Sequence, residues 1–520
     1  MRNALCALCP SQCAAGAKQL VAVKLFFSLS ILVVVIVAMD GEAFSGSAAV
    51  LHGQLLPGFA DAAEQRAAMA PPERKAQVVA VNPDGSAGAE DAAAYEAAGA
   101  RLREGKLVSF PTETVYGLGA NALSRDAVLA IFAAKGRPLT DPLIVHVGSA
   151  AEARALVSVG GWEGEMFDRL AAEFWPGPLT LVARAAAHVP EQVTAGTGFV
   201  GVRVPAHPVA QRLLRVARVP VAAPSANLFG HVSPSSAAHV LADLGAADVC
   251  ILDGGRCSVG VESTIVKIAG GGAGGDAGDG AGDAGGDAGT AAPTPRLALL
   301  RQGGIAESTL RRFTERGSAG AHDAAQGGQD GQDGQDGQDG QDGQDGQGQA
   351  AAGSTGKLCV PDRRVDSGKE GMHAPGGLLT HYAPAGKLTY ILRDSHPAAG
   401  VAGAGAGAGA GVAGAAVRGE DEELASIGLD QLGRCCIVDF GGRRADACRA
   451  AGKLYMDLSA DAEVGEAKRN LFDFLRRSEA PGVELVLLPD FGRVENGEAL
   501  ADRCFRAASG KAARLAETES

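Results

Sequence analysis

Six short segments of this chain set cations, hydroxyls and amides where strands and helices should end, which is where side chains meet ligands in open α/β sheets. "SFPTETVYGLG", Ser109–Gly119, follows an apolar run that Pro111 should close, because proline donates no ladder hydrogen bond. Thr112, Glu113 and Thr114 then precede Gly117 and Gly119, which permit close backbone approach. Such a cluster suits a polar ligand, although a turn alone would use the same residues. In "AAKGRPLTDPLIVHV", Lys135 and Arg137 stand at a predicted helix end, with Asp141 and His146 beyond them. Cations there either offset the helix dipole or compensate phosphate charge, arginine as a planar fork and lysine as a point charge. His146, in mid-strand, fits a ligand contact or an ordinary core histidine.

Arg203 lies inside the apolar pattern "VGVRVPAHP", where an unpaired charge is expensive, so it must pair or face a cleft. "PSAN" offers Ser225 and Asn227 at a strand end, and Ser235 follows in "SPSS". "GVESTIV" sets Ser263 and Thr264 beside Glu262, and "LLRQGG" sets Arg301 after an apolar run. A buried ion pair between Glu262 and one of the arginines is the structural alternative for these last two segments.

The elements that must hold these residues alternate. "LVSF", "LIVHV", "LTLVA", "VGVRVP", "VPVAAP", "VCILD" and "STIVKI" read as strands. "DAVLAIFAAKG" and "SSAAHVLADLG" read as helices with serine near a start and glycine at each stop. Further along, "LTYIL", "CCIVDF" and "ELVLLPD" surround a helical "EAKRNLFDFLRRS", the pattern of a small parallel sheet. The fold class is α/β.

The chain has 520 residues and a formal charge of −13, which argues against non-specific nucleic-acid binding through net charge. Its ten cysteines show no disulfide framework, and Cys6, Cys9 and Cys13 lack the second ligand pair that a zinc site requires. "LFFSLSILVVVIVAM", Leu25–Met39, behind Arg2, Lys18 and Lys24, has the order of a targeting presequence. Cytoplasmic placement is expected, with a plastid or mitochondrion left open by that leader. Glycine- and aspartate-rich tracts carry too few branched apolar residues to offset chain entropy and should be linkers or insertions. The resulting division is a leader and tail over 1–75 and a first block over 76–314 with an insert at 270–292. A GQD-repeat linker follows over 315–373, a short linker over 374–386 and a second block over 387–516.

Taken in order, "FPTETVYGLG", "KGRP", "PLIVHV", "VRVPAHP", "PSAN", "VESTIV" and "LRQGG" resemble the YrdC-like threonylcarbamoyl-AMP synthases. "THYAP" and the second block are similar to the linker and C-terminal domain of the long form of that family. The resemblance implies a twisted mixed-sheet YrdC-like domain with a concave basic cleft, a smaller Rossmann-like parallel domain, and a linker, 374–386, that covers the cleft.

It also implies an activity. L-threonine, bicarbonate or CO₂, and ATP would yield threonylcarbamoyl-adenylate and pyrophosphate. A partner transferase would then modify N6 of adenosine 37 in tRNA. By motif, Thr114, His146, Arg203, Ser225 and Ser263 would hold L-threonine, with Arg203 on its carboxylate. Lys135, Arg137, Asp141, Asn227, Ser235 and Arg301 would line the ATP site, and Tyr382 would close over it. Lys135 and Arg137 would stabilise charge in the reaction, and no covalent nucleophile is expected. Mg²⁺ would be held mainly by phosphates, with no dedicated protein metal site. The chain departs from the family at Phe199, where relatives carry a threonine, and in a linker lacking the usual methionine and basic residues. The alternative is an RNA-binding YrdC-like module without synthase activity; the acidic chain and its few aromatics disfavour it.

Overall fold

In a computed structural model of the chain, the described residues are 23–28, 31–36, 74–86, 88–269, 296–326, 357–360, 372, 374–375, 379–393, 424–444 and 452–515. The insert, the GQD repeat and the Gly-Ala tract near 403–411 lie outside them. Within the leader, β1 (Val23–Ser28) and β2 (Ile31–Ile36) pair antiparallel. No helix among the described residues is long and apolar enough to cross a membrane.

From Glu73 onward the chain forms one unit that holds two sheets. The first sheet uses β3 (Gln77–Ala80), β4 (Leu107–Phe110), β5 (Gly117–Asn121), β6 (Ile144–His146), β7 (Leu179–Arg184) and β8 (Phe199–Arg203). It continues with β9 (Val221–Ala222), β10 (Val249–Asp253), β11 (Thr264–Ala269), β12 (Arg296–Arg301) and β13 (Lys357–Cys359). The order across it is β13-β12-β11-β7-β8-β6-β9-β5-β4-β10-β3. Parallel pairs such as β6–β8 stand beside antiparallel ones such as β7–β8, so the sheet is mixed, as the resemblance implies.

One face of this sheet packs Leu118, Val145, Leu181 and Val202 against Ile131, Phe132, Phe167 and Leu170 from helices. The other buries Val108 and Phe110 against Tyr95, Leu102 and Leu213. Each such fully buried side chain contributes about 1.5–3 kcal/mol. The helix Arg125–Lys135 starts at Ser124, whose hydroxyl accepts from the Ala127 amide, and stops at Gly136 in the left-handed region with φ +64°. That stop turns the chain so that Lys135 and Arg137 enter the molecule instead of solvent.

The second sheet is parallel throughout: β14 (Leu388–Leu392), β15 (Ala425–Ile427), β16 (Cys435–Asp439), β17 (Leu454–Asp457), β18 (Leu485–Pro489) and β19 (Ala512–Leu515). Their order is β15-β19-β14-β18-β16-β17. The helix Val464–Arg477 lays Ala467, Leu471, Phe472 and Leu475 on it at helical spacing. Val115, Val232 and Tyr382 join this same apolar cluster, so the first sheet's loops complete the second domain's core.

Two elements differ from the sequence reading. The helix Glu307–Gln326 continues past residue 314, into the stretch read as linker. β13 also falls within that stretch, pairing parallel with β12 and burying Leu358 in the first core. A three-residue strand carries too little pattern to be seen beside low-complexity sequence; its pairing with β12 creates it.

Candidate active site

The loop after β4 begins the site. Thr112 Oγ1 donates to the Val115 carbonyl and accepts from the amides of Thr114 and Val115, which closes a tight turn. The turn leaves Thr112 and Thr114 hydroxyls 2.8 Å apart, with Thr114 accepting from Arg203 Nη1 at 2.9 Å. Arg203 comes from the end of β8 and is fixed twice more. Its Nη2 pairs with Glu113 Oε1 at 2.7 Å, and its Nε donates to the Gly177 carbonyl. Glu113, which the sequence reading left without a role, is therefore the partner that the buried Arg203 requires.

Ser263, at the start of β11, sits against Arg301 at the end of β12. The guanidinium donates to the Ser263 carbonyl and hydroxyl, and across to the Pro375 carbonyl of the linker. Gly303 permits this closeness: a Cβ there would stand 2.4 Å from the Thr264 nitrogen. Thr180 Oγ1 lies 2.7 Å from Ser263 Oγ and fixes the hydroxyl from β7.

These pieces surround one hollow of about 560 Å³ of empty space, lying between the first sheet and the linker. Its lining includes Thr112, Thr114, Arg137, His146, Arg203 and Ser225, together with Glu262, Ser263, Arg301, Pro375, His381 and Tyr382. Of the residues singled out from sequence, Thr114, His146, Arg203, Ser225, Ser263, Arg137, Arg301 and Tyr382 thus meet in one place.

Lys135, Asp141, Asn227 and Ser235 do not line that hollow. They form the buried layer beside it. Lys135 Nζ donates to the carbonyls of Ser225 and Asn227 and so shapes the "PSAN" turn. Asp141 pairs with Arg137 at 2.8 Å, while Arg137 also donates to the Asp141 and Pro142 carbonyls. Asn227 Nδ2 donates to the Leu228 and His231 carbonyls. Ser235 lies against His239. Phe199 is absent from the lining as well. Its ring packs with Ile144, Val182 and Ile265, with Lys267 Nζ 4.0 Å and Arg184 Cζ 5.5 Å from its centroid.

Burial, with Arg203 adding to it, pushes the His146 imidazole down to about 3, so it stands neutral in the wall. His381 is likewise held well below the usual histidine range, first by burial and then by Arg137 and Lys135. Burial lowers Arg137 and Arg301 from the ordinary arginine value, yet nearby carboxylates oppose the shift and both remain cations. The hollow therefore offers fixed positive charge, neutral imidazoles and small hydroxyls. It can orient an amino acid and neutralise anions without a covalent nucleophile.

Sequence reasoning missed Arg503, which reaches the site wall from the second domain. Its Nε lies 2.7 Å from Glu262 Oε2, and its Cζ stands 5.0 Å from the Tyr382 ring centroid. The alternative weighed for Glu262, a buried ion pair, is therefore what the structure has, with an arginine from outside the motifs.

Residues 100–273 match the family described as telomere recombination, and residues 353–509 match the threonylcarbamoyl-AMP synthase C-terminal domain. The threonylcarbamoyl-AMP synthase of Pyrococcus abyssi is 33% identical over 411 residues, 79% of this chain and 92% of that protein. That of Bacillus subtilis is 48% identical over 173 residues, 33% of this chain and 49% of that protein. The crystal structure of P. abyssi Sua5 complexed with L-threonine aligns with a TM-score of 0.57 at 28% identity, covering 85% of this chain and 100% of that one. With both domains matched and a relative spanned almost end to end, the chain belongs to the long form of the threonylcarbamoyl-AMP synthase family.

Proposed function

We propose that this chain condenses L-threonine, bicarbonate or CO₂, and ATP into L-threonylcarbamoyladenylate and pyrophosphate. The observation that carries the reading is the hollow in which Arg137, Arg203 and Arg301 converge with Thr114, Ser225 and Ser263 beneath Tyr382. Threonine binds among the hydroxyls; its nitrogen, once deprotonated, attacks the carbon of CO₂. A carbamate oxygen then attacks the α-phosphorus of ATP, the bond to the β-phosphate breaks, and pyrophosphate leaves with its electron pair. The chain's part is to hold the reactants in line and to neutralise the charge that gathers between carbamate and phosphates.

Arg203 is already engaged by Glu113 and Thr114, so in this reading it presents Thr114 and adds positive field, with its remaining capacity on the threonine carboxylate. Lys135, Asp141, Asn227 and Ser235 hold the nucleotide edge of the hollow in place from behind. Mg²⁺ would travel with the phosphates. Asp141 fits it poorly as a ligand, since Arg137 occupies that carboxylate. The adenylate would pass to a threonylcarbamoyl transferase acting on adenosine 37 of tRNA.

Incubation of the purified chain with labelled threonine, bicarbonate and ATP, followed by chromatography, tests the reading. The adenylate should form, with pyrophosphate release that requires threonine and bicarbonate together. A tRNA mobility shift without threonine-dependent pyrophosphate would overturn it in favour of RNA binding.

A further inference from the structure

Arg503 leads the largest side chains buried without exposure among the described residues, and the reaction scheme above gives it no part. It sits on the helix Glu498–Ala507 of the second domain. Yet its contacts face the first domain and the linker. Nε donates to Glu262 Oε2 at 2.7 Å, Nη2 to the Gln302 carbonyl at 2.9 Å, and the guanidinium lies over Tyr382. Asp502 at 2.6 Å holds Nη1 from its own helix.

A buried ion pair is a poor device for stability alone, because desolvation cancels much of its Coulomb attraction and an apolar pair of the same volume would serve as well. Two features give this one a use. Glu262 and Tyr382 both line the substrate hollow, and Gln302 follows Arg301 in the chain. Tyr382 also adopts φ +62°, a left-handed conformation that costs a bulky residue about 1–3 kcal/mol and persists only where neighbours over-determine it. Phe472 stacks on the ring 5.5 Å away on the second domain's side, and Arg503 lies against the same ring. Glu262 has its other oxygen occupied by the Ser233 hydroxyl at 2.6 Å.

We infer that Arg503 is a positioning residue of the synthase site, supplied by the second domain to hold Glu262 and Tyr382 in the wall of the substrate hollow. The inference rests on the synthase reading and adds to it the reason that this catalytic domain works with a second domain attached. Arg503 touches no reacting atom. Its charge keeps the Glu262 carboxylate ionised, and its plane keeps the Tyr382 ring over the hollow.

The test uses the full chain as wild type, Arg503→Lys, Arg503→Met and the double variant Arg503→Met/Glu262→Gln. Threonine-dependent pyrophosphate release is followed from about pH 5 to 9, with melting temperatures alongside. Arg503→Met should raise the KM for threonine by about 10- to 100-fold, with a smaller change in kcat. It should also add to the kcat/KM profile an ionisation that the wild type lacks, because the buried Glu262 carboxylate, left with only Arg301 and the Ser233 hydroxyl to favour its charge, then titrates within the range. The double variant should lose that ionisation while KM stays raised, and Arg503→Lys should recover part of the KM. Wild-type KM and an unchanged profile in Arg503→Met would overturn the inference, as would a loss that only follows the folded fraction. Should Arg503→Met fail to fold, the double variant decides: a folded protein with wild-type KM overturns the inference, a raised KM supports it. An inactive wild type would instead remove the synthase reading itself.

Discussion

Thr114 shows how narrowly a single residue is specified in the hollow. Its hydroxyl is held from below by Arg203 Nη1 and from the side by Thr112, so little freedom is left to it when a substrate arrives. Thr114→Val keeps the shape and removes one hydrogen-bonding oxygen. A hydrogen bond of about 1–1.5 kcal/mol corresponds to roughly a 10-fold rise in the KM for threonine, with kcat less affected. Initial rates at varied threonine check this, and a wild-type KM would take Thr114 out of the binding surface. The residues that line the hollow were legible because each lies in a local motif at a strand or helix end, where chemistry and position can be read together. Glu113 and Arg503 were not. Glu113 sits in the first motif, but only the fold places it 2.7 Å from Arg203. Arg503 is farther still from its partners in sequence, and two arginines three residues apart in "LADRCFRAASG" read as the solvated face of a helix. Lys135 shows the opposite gap: its type suggested phosphate, whereas its ammonium is spent on the carbonyls of Ser225 and Asn227.

At the scale of elements, the loop after β9 and the helix Val464–Arg477 meet through a histidine. His231 places Nδ1 2.8 Å from Asp243 and Nε2 2.6 Å from Glu479, just beyond that helix. Burial opposes the charge, but the hydrogen bonds to the two carboxylates outweigh it and raise the imidazole to about 9. Its folded value lies above the ordinary histidine value of about 6.5, so its contribution is complete below that pH and is lost as pH rises through about 9. The melting temperature should therefore decline by a few degrees between about pH 6.5 and 9. His231→Gln should flatten that decline while lowering the plateau beneath it. Thermal melts of the two proteins across that range check it, and parallel declines would remove His231 as the cause. Elements of this kind divide by how local their causes are. Gly136 marked the stop of its helix from sequence alone, since such a cap needs no distant partner, while the Ser124 cap at the other end came from the structure. β13, β15, β17 and β19 are short strands that exist because a neighbour pairs with them, and no pattern of their own announces them.

For the whole molecule, the question is what makes two sheets behave as one body. The apolar part of the contact is Val115, Val232 and Tyr382, set into a core otherwise built by the second domain. The backbones also come close. A Cβ at Gly260, where φ is +79°, would stand 2.4 Å from Arg469 Cα, so no other residue could occupy that place without separating the domains. Charge closes the far side. Arg476 pairs with both oxygens of Asp243, at 2.9 and 3.0 Å, and both side chains are buried. Burial works against the Asp243 charge, yet His231 and Arg476 more than compensate and hold the carboxyl down to about 2. Removing one partner of an isolated buried pair costs about 3–5 kcal/mol, and because His231 remains on Asp243 the loss of Arg476 costs less than that, whereas removing both Asp243 and Arg476 leaves His231 to Glu479. The wild type should then unfold in one calorimetric transition with matching calorimetric and van't Hoff enthalpies. Arg476→Met should lower that transition or split it into one for each domain, and Asp243→Asn/Arg476→Met should restore much of the loss. If Arg476→Met melted as the wild type does, the apolar contact alone would be coupling the sheets. The ion pair would then serve only to fix how the second domain faces the hollow, a role that the same variant would report as a change in KM without a change in stability.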